Sequence, residues 1–203
     1  MIHERSNFFE EGQKKSSSHT LFQVVQFLSA SMEKKEEPLK INKVGNSKWH
    51  GSVQAIVNAP IEKVWSIVSH SSRLHEWMPM VEKCTSVSGQ EGIPGYVRLV
   101  SGLMFPQKDR GMSWIKERLI LIDPLLHTYT FQMEESNIGL DGSLNSLKLI
   151  DYGDGTTLVD WKYDIDPANG MSKDNIIDYL GYLYKSCINR IEGALKASSK
   201  LEG

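Results

Sequence analysis

Glu117 is the residue whose setting asks for an explanation. In "MSWIKERLILID" (112–123) it stands in line with Ile115, Leu119 and Leu121, on what alternation makes the apolar face of a strand. A carboxylate buried without a partner is costly, so Glu117 is either paired or does chemistry. Burial raises the pKa of such a carboxyl group and a nearby cation lowers it again; a group balanced this way donates or accepts a proton near neutral pH. The nearest candidate cation is Arg98 in "YVRLV" (96–100), one strand earlier. Its planar fork of donors suits an oxygen on which charge develops. A Glu and an Arg on neighbouring strands also make an ordinary structural ion pair. Parity does not choose Arg98's face: Tyr96 and Val100 accompany it, while Val97 and Leu99 oppose it.

Other chemistries find less support. His70 and His75 are five apart, and no other histidine pair sits at helical ligand spacing, so no metal site is expected. Ser143 lacks the G-x-S-x-G setting of a nucleophile elbow. "YGDG" and "GLDG" are turns rather than phosphate loops, and neither a P-loop nor G-x-G-x-x-G occurs.

The elements that must position this pair are legible from residue 48 onward. "KWHGSVQAIV" alternates, with Trp49, Gly51, Val53, Ala55 and Val57 on one face. Asn58 is a candidate cap before Pro60, and "IEKVWSIVS" carries Ile61, Val64, Trp65 and Val68 at helical spacing. "SSRLHEWMP" predicts a second short helix, stopped before Pro79. Six strands follow: "VEKCTSV", "YVRLVSG", "MSWIKERLILID", "HTYTFQME", "SLNSLKLI" and "TTLVDWKYDID". In the fourth, His127, Tyr129, Phe131 and Met133 share a face; "DYGDG" reads as the hairpin turn after the fifth. From about Ser172, an N-cap candidate, to Ser198 no proline intervenes. Ile176, Tyr179, Leu180, Leu183, Cys187, Ile191 and Ala194 then form one apolar stripe. Of the helix's tyrosines, Tyr179 alone is read as facing inward.

One strand, two short helices, six strands and a long helix predict an α+β fold: a curved antiparallel seven-stranded sheet around the C-terminal helix. The space between sheet and helix is the default ligand cavity.

Bulk properties bound the function. A chain of 203 residues suits one core. With 23 Lys and Arg against 25 Asp and Glu, no basic stripe points to nucleic acid and no excess cation to an anionic membrane. No apolar run approaches the roughly 20 residues of a spanning helix. Cys84 and Cys187 read as free thiols in a reducing, cytoplasmic setting. Residues 1–47 are polar at first, then carry the short apolar run "LFQVVQFLSASM", then a charged run; they read as a disordered extension, with Met32 an alternative start. The folded domain is expected over 48–198, followed by a short disordered tail (199–203).

The pattern "KWHGSVQA…VW…LHEWMP…VRLVSG.M.P…W..ERL…D…DW" resembles plant lachrymatory-factor synthases. These belong to the helix-grip group of polyketide cyclase-like, pollen-allergen-like and START-like proteins. Trp49, Gly51, Trp65, Leu74, His75, Met78, Pro79, Arg98, Gly102, Pro106, Trp114, Glu117 and Trp161 carry the match, over about 48–198. The resemblance implies a helix-grip fold and an enzyme that rearranges a small alkenyl sulfenic acid to a thial S-oxide by moving a proton. It implies no metal or organic cofactor. Arg98 and Glu117 would be the catalytic pair, with Leu74, His75, Tyr129, Phe131, Ser143, Trp161 and Leu183 in the substrate pocket. Two tyrosines that help catalysis in that family correspond here to Phe131 and Ser143, and a helix tryptophan to Leu183. The acid–base pair is therefore kept while the wall is changed, which shifts the expectation toward a related isomerisation or cyclisation of another small hydrophobic or sulfur-containing molecule.

Abscisic acid receptors, which share the fold, supply the alternative of a non-catalytic carrier or hormone receptor. "VSGLMFP" resembles their gate loop. The gate's Pro-Ala is Met104-Phe105 here, "GLDGSL" (139–144) replaces the His-Arg-Leu latch, and the hormone-binding lysine is missing from "SIVSHSSRLHEWMP".

Overall fold

The computed structural model describes residues 48–105, 111–167 and 172–199. The expectations for residues 1–47, for Pro106 and for the end of the tail lie outside them.

Seven strands make one antiparallel sheet. They are β1 (Trp49–Val57), β2 (Val81–Ser88), β3 (Val97–Gly102), β4 (Ser113–Asp123), β5 (Thr128–Ser136), β6 (Leu144–Gly153) and β7 (Thr156–Ile165). Their spatial order is β1-β7-β6-β5-β4-β3-β2. Between β1 and β2 come α1 (Ile61–Val68), a 3₁₀ turn (Ser71–Arg73) and the single turn α2 (Leu74–Trp77); α3 (Lys173–Ser199) follows β7. This is the α+β arrangement the sequence predicts. Apart from the β1–β7 pairing, every ladder joins strands consecutive in the chain, so short turns suffice. The β6–β7 turn has Gly153, Asp154 and Gly155 all at positive φ, the left-handed backbone that a tight hairpin requires.

The alternation read along β1 and β7 holds. Ala55 and Val57 are buried on β1, and Thr157, Val159, Trp161, Tyr163 and Ile165 on β7. On α3 the whole anticipated stripe from Ile176 to Ala194 is buried. It is wider than expected, because Tyr184 and Ile188 are buried too. Tyr184 stacks on Trp161 at 4.0 Å and 8°, so it faces the sheet rather than solvent. Ser172 stands at the N-cap position, its carbonyl accepting from the Ile176 N–H at 3.1 Å.

Three local readings change. Pro60, not Asn58, is the N-cap residue of α1; the Asn58 side chain instead donates to Glu192 Oε1 on α3 at 3.0 Å. His127 precedes β5 with φ of 47° and lies 3.0 Å from Glu62. Leu121 leaves the apolar line of Ile115, Glu117 and Leu119 and is 48% exposed. The cause is a β-bulge: Leu119 pairs with Phe131 but Leu121 with Thr130, so Ile120 is an extra residue that turns the following side chains over. A second bulge lies on the facing strand, where Lys116 pairs with Glu135 and Glu117 with Met133. Bulges bend the strands that carry them, and these two flank Glu117 where the sheet curves around α3.

Candidate functional site

Between the sheet and α3 lies a cavity of about 50 Å³. A single water needs at least roughly 10–15 Å³, so a few waters or one small organic molecule fit. β3 and β4 contribute Arg98, Val100, Ile115 and Glu117 to its wall; β5, β6 and β7 contribute Tyr129, Met133, Asn145 and Trp161. Leu74 and Met78 close it from the α2 side, Met104 and Phe105 from the loop after β3, and Leu180, Leu183 and Tyr184 from α3.

Arg98 and Glu117 are direct cross-strand partners, and each is 5% exposed. Parity left Arg98's face open; the β3–β4 register puts it inward, opposite the one inward carboxylate of β4. Both contacts fall on one oxygen. Arg98 Nε donates to Glu117 Oε1 at 2.7 Å, and Nη2 lies 2.6 Å from the same atom. Nη1 donates to Ser71 Oγ at 3.0 Å. Phe131 lies under the guanidinium, its ring centre 3.8 Å from Cζ, a cation–π contact. Among the described residues, the other carboxylate oxygen, Oε2, accepts only the longer 3.3 Å bond from Asn145 Nδ2.

Burial opposes the charge on Arg98, but the Glu117 carboxylate, with Cys84 and Tyr129, outweighs it and holds the guanidinium pKa above its ordinary value. Burial pushes the Tyr129 and Tyr184 phenols up, so both stay protonated near neutral pH. Tyr179, on the same helix face, donates its hydroxyl to the Met104 carbonyl and packs against Phe105 with ring centres 5.2 Å apart and the planes tilted by 56°. This ties the loop after β3 to α3 over the cavity.

Six of the nine residues put forward from sequence line the cavity: Leu74, Arg98, Glu117, Tyr129, Trp161 and Leu183. Phe131 is not in the wall but supports Arg98 from below. His75 is exposed, because the single turn of α2 buries Leu74 and Trp77 and leaves His75 on the opposite side. Ser143 is fully buried, yet outside the cavity wall; its hydroxyl has no partner among the described residues. Phenols nonetheless reach the wall, from Tyr129 and Tyr184 rather than from positions 131 and 143.

Sequence reasoning missed Asn145, Ser71 and the three methionines Met78, Met104 and Met133. Asn145 carried a usable signal: on β6 it falls in line with Leu147 and Leu149, a polar residue on an apolar face like Glu117. Ser71 sits in a 3₁₀ turn, where no period applies. Its N–H donates to Glu91 of the β2–β3 loop, which fixes the hydroxyl that Arg98 uses.

Among the described residues no group of three His, Cys, Asp or Glu side chains is placed to hold a metal ion, and no helix is long and apolar enough to cross a membrane.

Comparison with known proteins agrees with this geometry. Residues 48–192 match the family described as polyketide cyclase / dehydrase and lipid transport. Among solved structures, the chain is similar to an uncharacterised protein of Bacillus thuringiensis at 19% identity, covering 72% of this chain and 98% of that one with a TM-score of 0.58. A protein of Nitrosospira multiformis matches at 20% identity, with 74% and 99% coverage and a TM-score of 0.58. Ara h 8.0201 matches at 17% identity, with 73% and 97% coverage and a TM-score of 0.59. Identities this low show a shared fold, the helix-grip arrangement.

Proposed function

The chain belongs to the polyketide cyclase / dehydrase and lipid transport family, and from that premise we propose that its cavity catalyses a cofactor-independent proton transfer. The product is an isomer or cyclised form of a small reactive molecule, in the manner of lachrymatory-factor synthases. One observation carries the reading: a buried carboxylate and guanidinium share the cavity wall, and the pairing is lopsided. Oε1 takes both guanidinium contacts, and among the described residues Oε2 keeps only a long amide bond. Oε2 is therefore the atom free to exchange a proton.

The step balances without an external reagent. A substrate with an acidic O–H conjugated to a C=C bond gives its proton to Glu117 Oε2. The oxygen left behind is held by Arg98, and its electron pair moves through the conjugated system to the far carbon. Glu117 returns the proton there, so one bond to hydrogen is broken at oxygen and one formed at carbon. No electron is gained or lost overall. Apolar walls exclude water, which strengthens the attraction between Arg98 and the developing charge.

The test is Glu117→Gln, which keeps shape and hydrogen-bonding reach but removes acid–base capacity. An alkenyl sulfenic acid generated in place by an alliinase is the first substrate, followed by small enolisable compounds. Turnover is expected to fall by roughly 10²–10⁴-fold, the usual contribution of a general acid–base, with ligand affinity little changed. Full turnover in the folded variant refutes the assignment. Binding without turnover in the native chain favours a carrier or hormone receptor.

A further inference from the structure

We propose that the cavity takes an uncharged molecule whose polar end is a hydrogen-bond acceptor, and that it refuses a ligand arriving as an anion. This rests on the catalytic reading for its site, but on separate observations.

The first is charge. Among the described lining residues, Arg98 and Glu117 are the only acidic or basic side chains besides the two phenols, and they cancel each other at 2.6 Å. Tyr129 and Tyr184 add no charge, since burial keeps them protonated. The second is unmet donors. A guanidinium has five N–H groups. Nε donates one to Glu117, Nη2 lies at ion-pair distance from the same oxygen, and Nη1 donates one to Ser71. Even with one Nη2 hydrogen turned to Glu117, two N–H groups, one on Nη1 and one on Nη2, have no partner among the described residues. Arg98 is 5% exposed, so bulk water does not serve them, and the cavity it lines is where an acceptor must come from. The third is room: about 50 Å³.

An anion entering this site loses its hydration. In return it meets a cation already neutralised by Glu117, and the Glu117 carboxylate repels it. A neutral acceptor takes the spare N–H groups without that penalty. The same logic suits the reaction. When a neutral acid passes its proton to Glu117, the site's total charge stays at zero; the substrate becomes anionic only as Glu117 becomes neutral. A charge formed inside is held, and one brought from outside is not.

The test uses unreactive probes of matched shape on the full chain: acetone (neutral acceptor), acetate (anion) and 2-methylpropene (no acceptor). Binding is followed by NMR through the Arg98 guanidinium N–H signals and the wall residues Ile115 and Met133. Acetone should bind saturably and shift the Arg98 signals. 2-Methylpropene should shift the wall residues and leave Arg98 unmoved. Acetate at pH 7 should bind at least tenfold more weakly than acetone. In Glu117→Gln, where Arg98 is no longer balanced, acetate should gain at least tenfold relative to acetone. Acetate binding as tightly as acetone to the native chain overturns the proposal, and needs no variant to fold. So does the absence of an acetate gain in folded Glu117→Gln, or silence of the cavity residues to all three probes. Because the probes do not react, this outcome is independent of turnover: an inactive protein can still show the ranking, and an active one can fail it.

Discussion

Removing Arg98 and Glu117 one at a time, then together, should produce a large non-additivity in stability. Arg98→Met keeps length and apolar bulk but leaves the Glu117 carboxylate, 5% exposed, facing only Asn145. Stripping one partner from a buried pair costs about 3–5 kcal/mol. The cation–π contact at 3.8 Å over Phe131 goes as well, worth about 1 kcal/mol and partly replaced by the methionine sulfur. A loss of about 3–6 kcal/mol follows, against a total stability of about 5–15 kcal/mol for an ordinary domain. Glu117→Gln still offers Arg98 a neutral acceptor and should cost less, about 2–4 kcal/mol. The double variant buries no charge, so it should be more stable than Arg98→Met alone. Urea titrations followed by tryptophan fluorescence read this directly, since Trp77 and Trp161 are both buried. A double variant as damaged as the two singles summed refutes the argument that a mutually dependent buried pair sits here.

Other expectations concern the frame around the pair. Cys84 and Cys187 are both free, and burial pushes the fully enclosed Cys187 thiol up to about 12. A thiol reagent at pH 8 should therefore modify Cys84 first and reach Cys187 only on unfolding, with a denatured count of two free thiols. Gly51→Ala should cost roughly 1–3 kcal/mol by overpacking, measured as a lowered Tm, because the Tyr163 side chain from the paired strand occupies the space a Cβ needs. A version of the chain beginning at residue 40 should retain a cooperative thermal transition, since the apolar periodicity begins after that point; loss of the transition would show that the first residues belong to the folding unit.

Alternation and helical spacing made the succession of strands along the chain, the long helix and the oddity of Glu117 readable, because a two-sided sheet and a one-sided helix impose those periods directly. Arg98's orientation was not readable. Both faces of β3 are apolar, with Val97 and Val100 each buried, and only the register against β4 decides. Leu121 was misread because a single inserted residue reverses parity without leaving a compositional trace. His75, which only the family resemblance put in the pocket, is exposed; one turn of helix is too short to show a period that would have placed it, and Ser71 escaped notice for the same reason. Asn145 could have been found by the rule that found Glu117.

The paired bulges of β4 and β5 behave like two frameshifts of opposite sign. On either side of them the partner numbers sum to 251, as in Ile115↔Ser136 and Ile122↔Tyr129; between them, from Glu117↔Met133 to Leu119↔Phe131, they sum to 250. The hairpin thus slips out of phase for three pairs and then recovers it, and Glu117 lies inside the slipped window. Losing Ile120 or Glu134 alone would throw the rest of the ladder out of frame, whereas losing both would restore one continuous frame and a flatter hairpin. A relative lacking both residues could keep every strand and every inward side chain of the fold, yet hold its carboxylate at a different height above the helix. Length variation in this hairpin is therefore a means of retuning the cavity that leaves the rest of the sheet untouched.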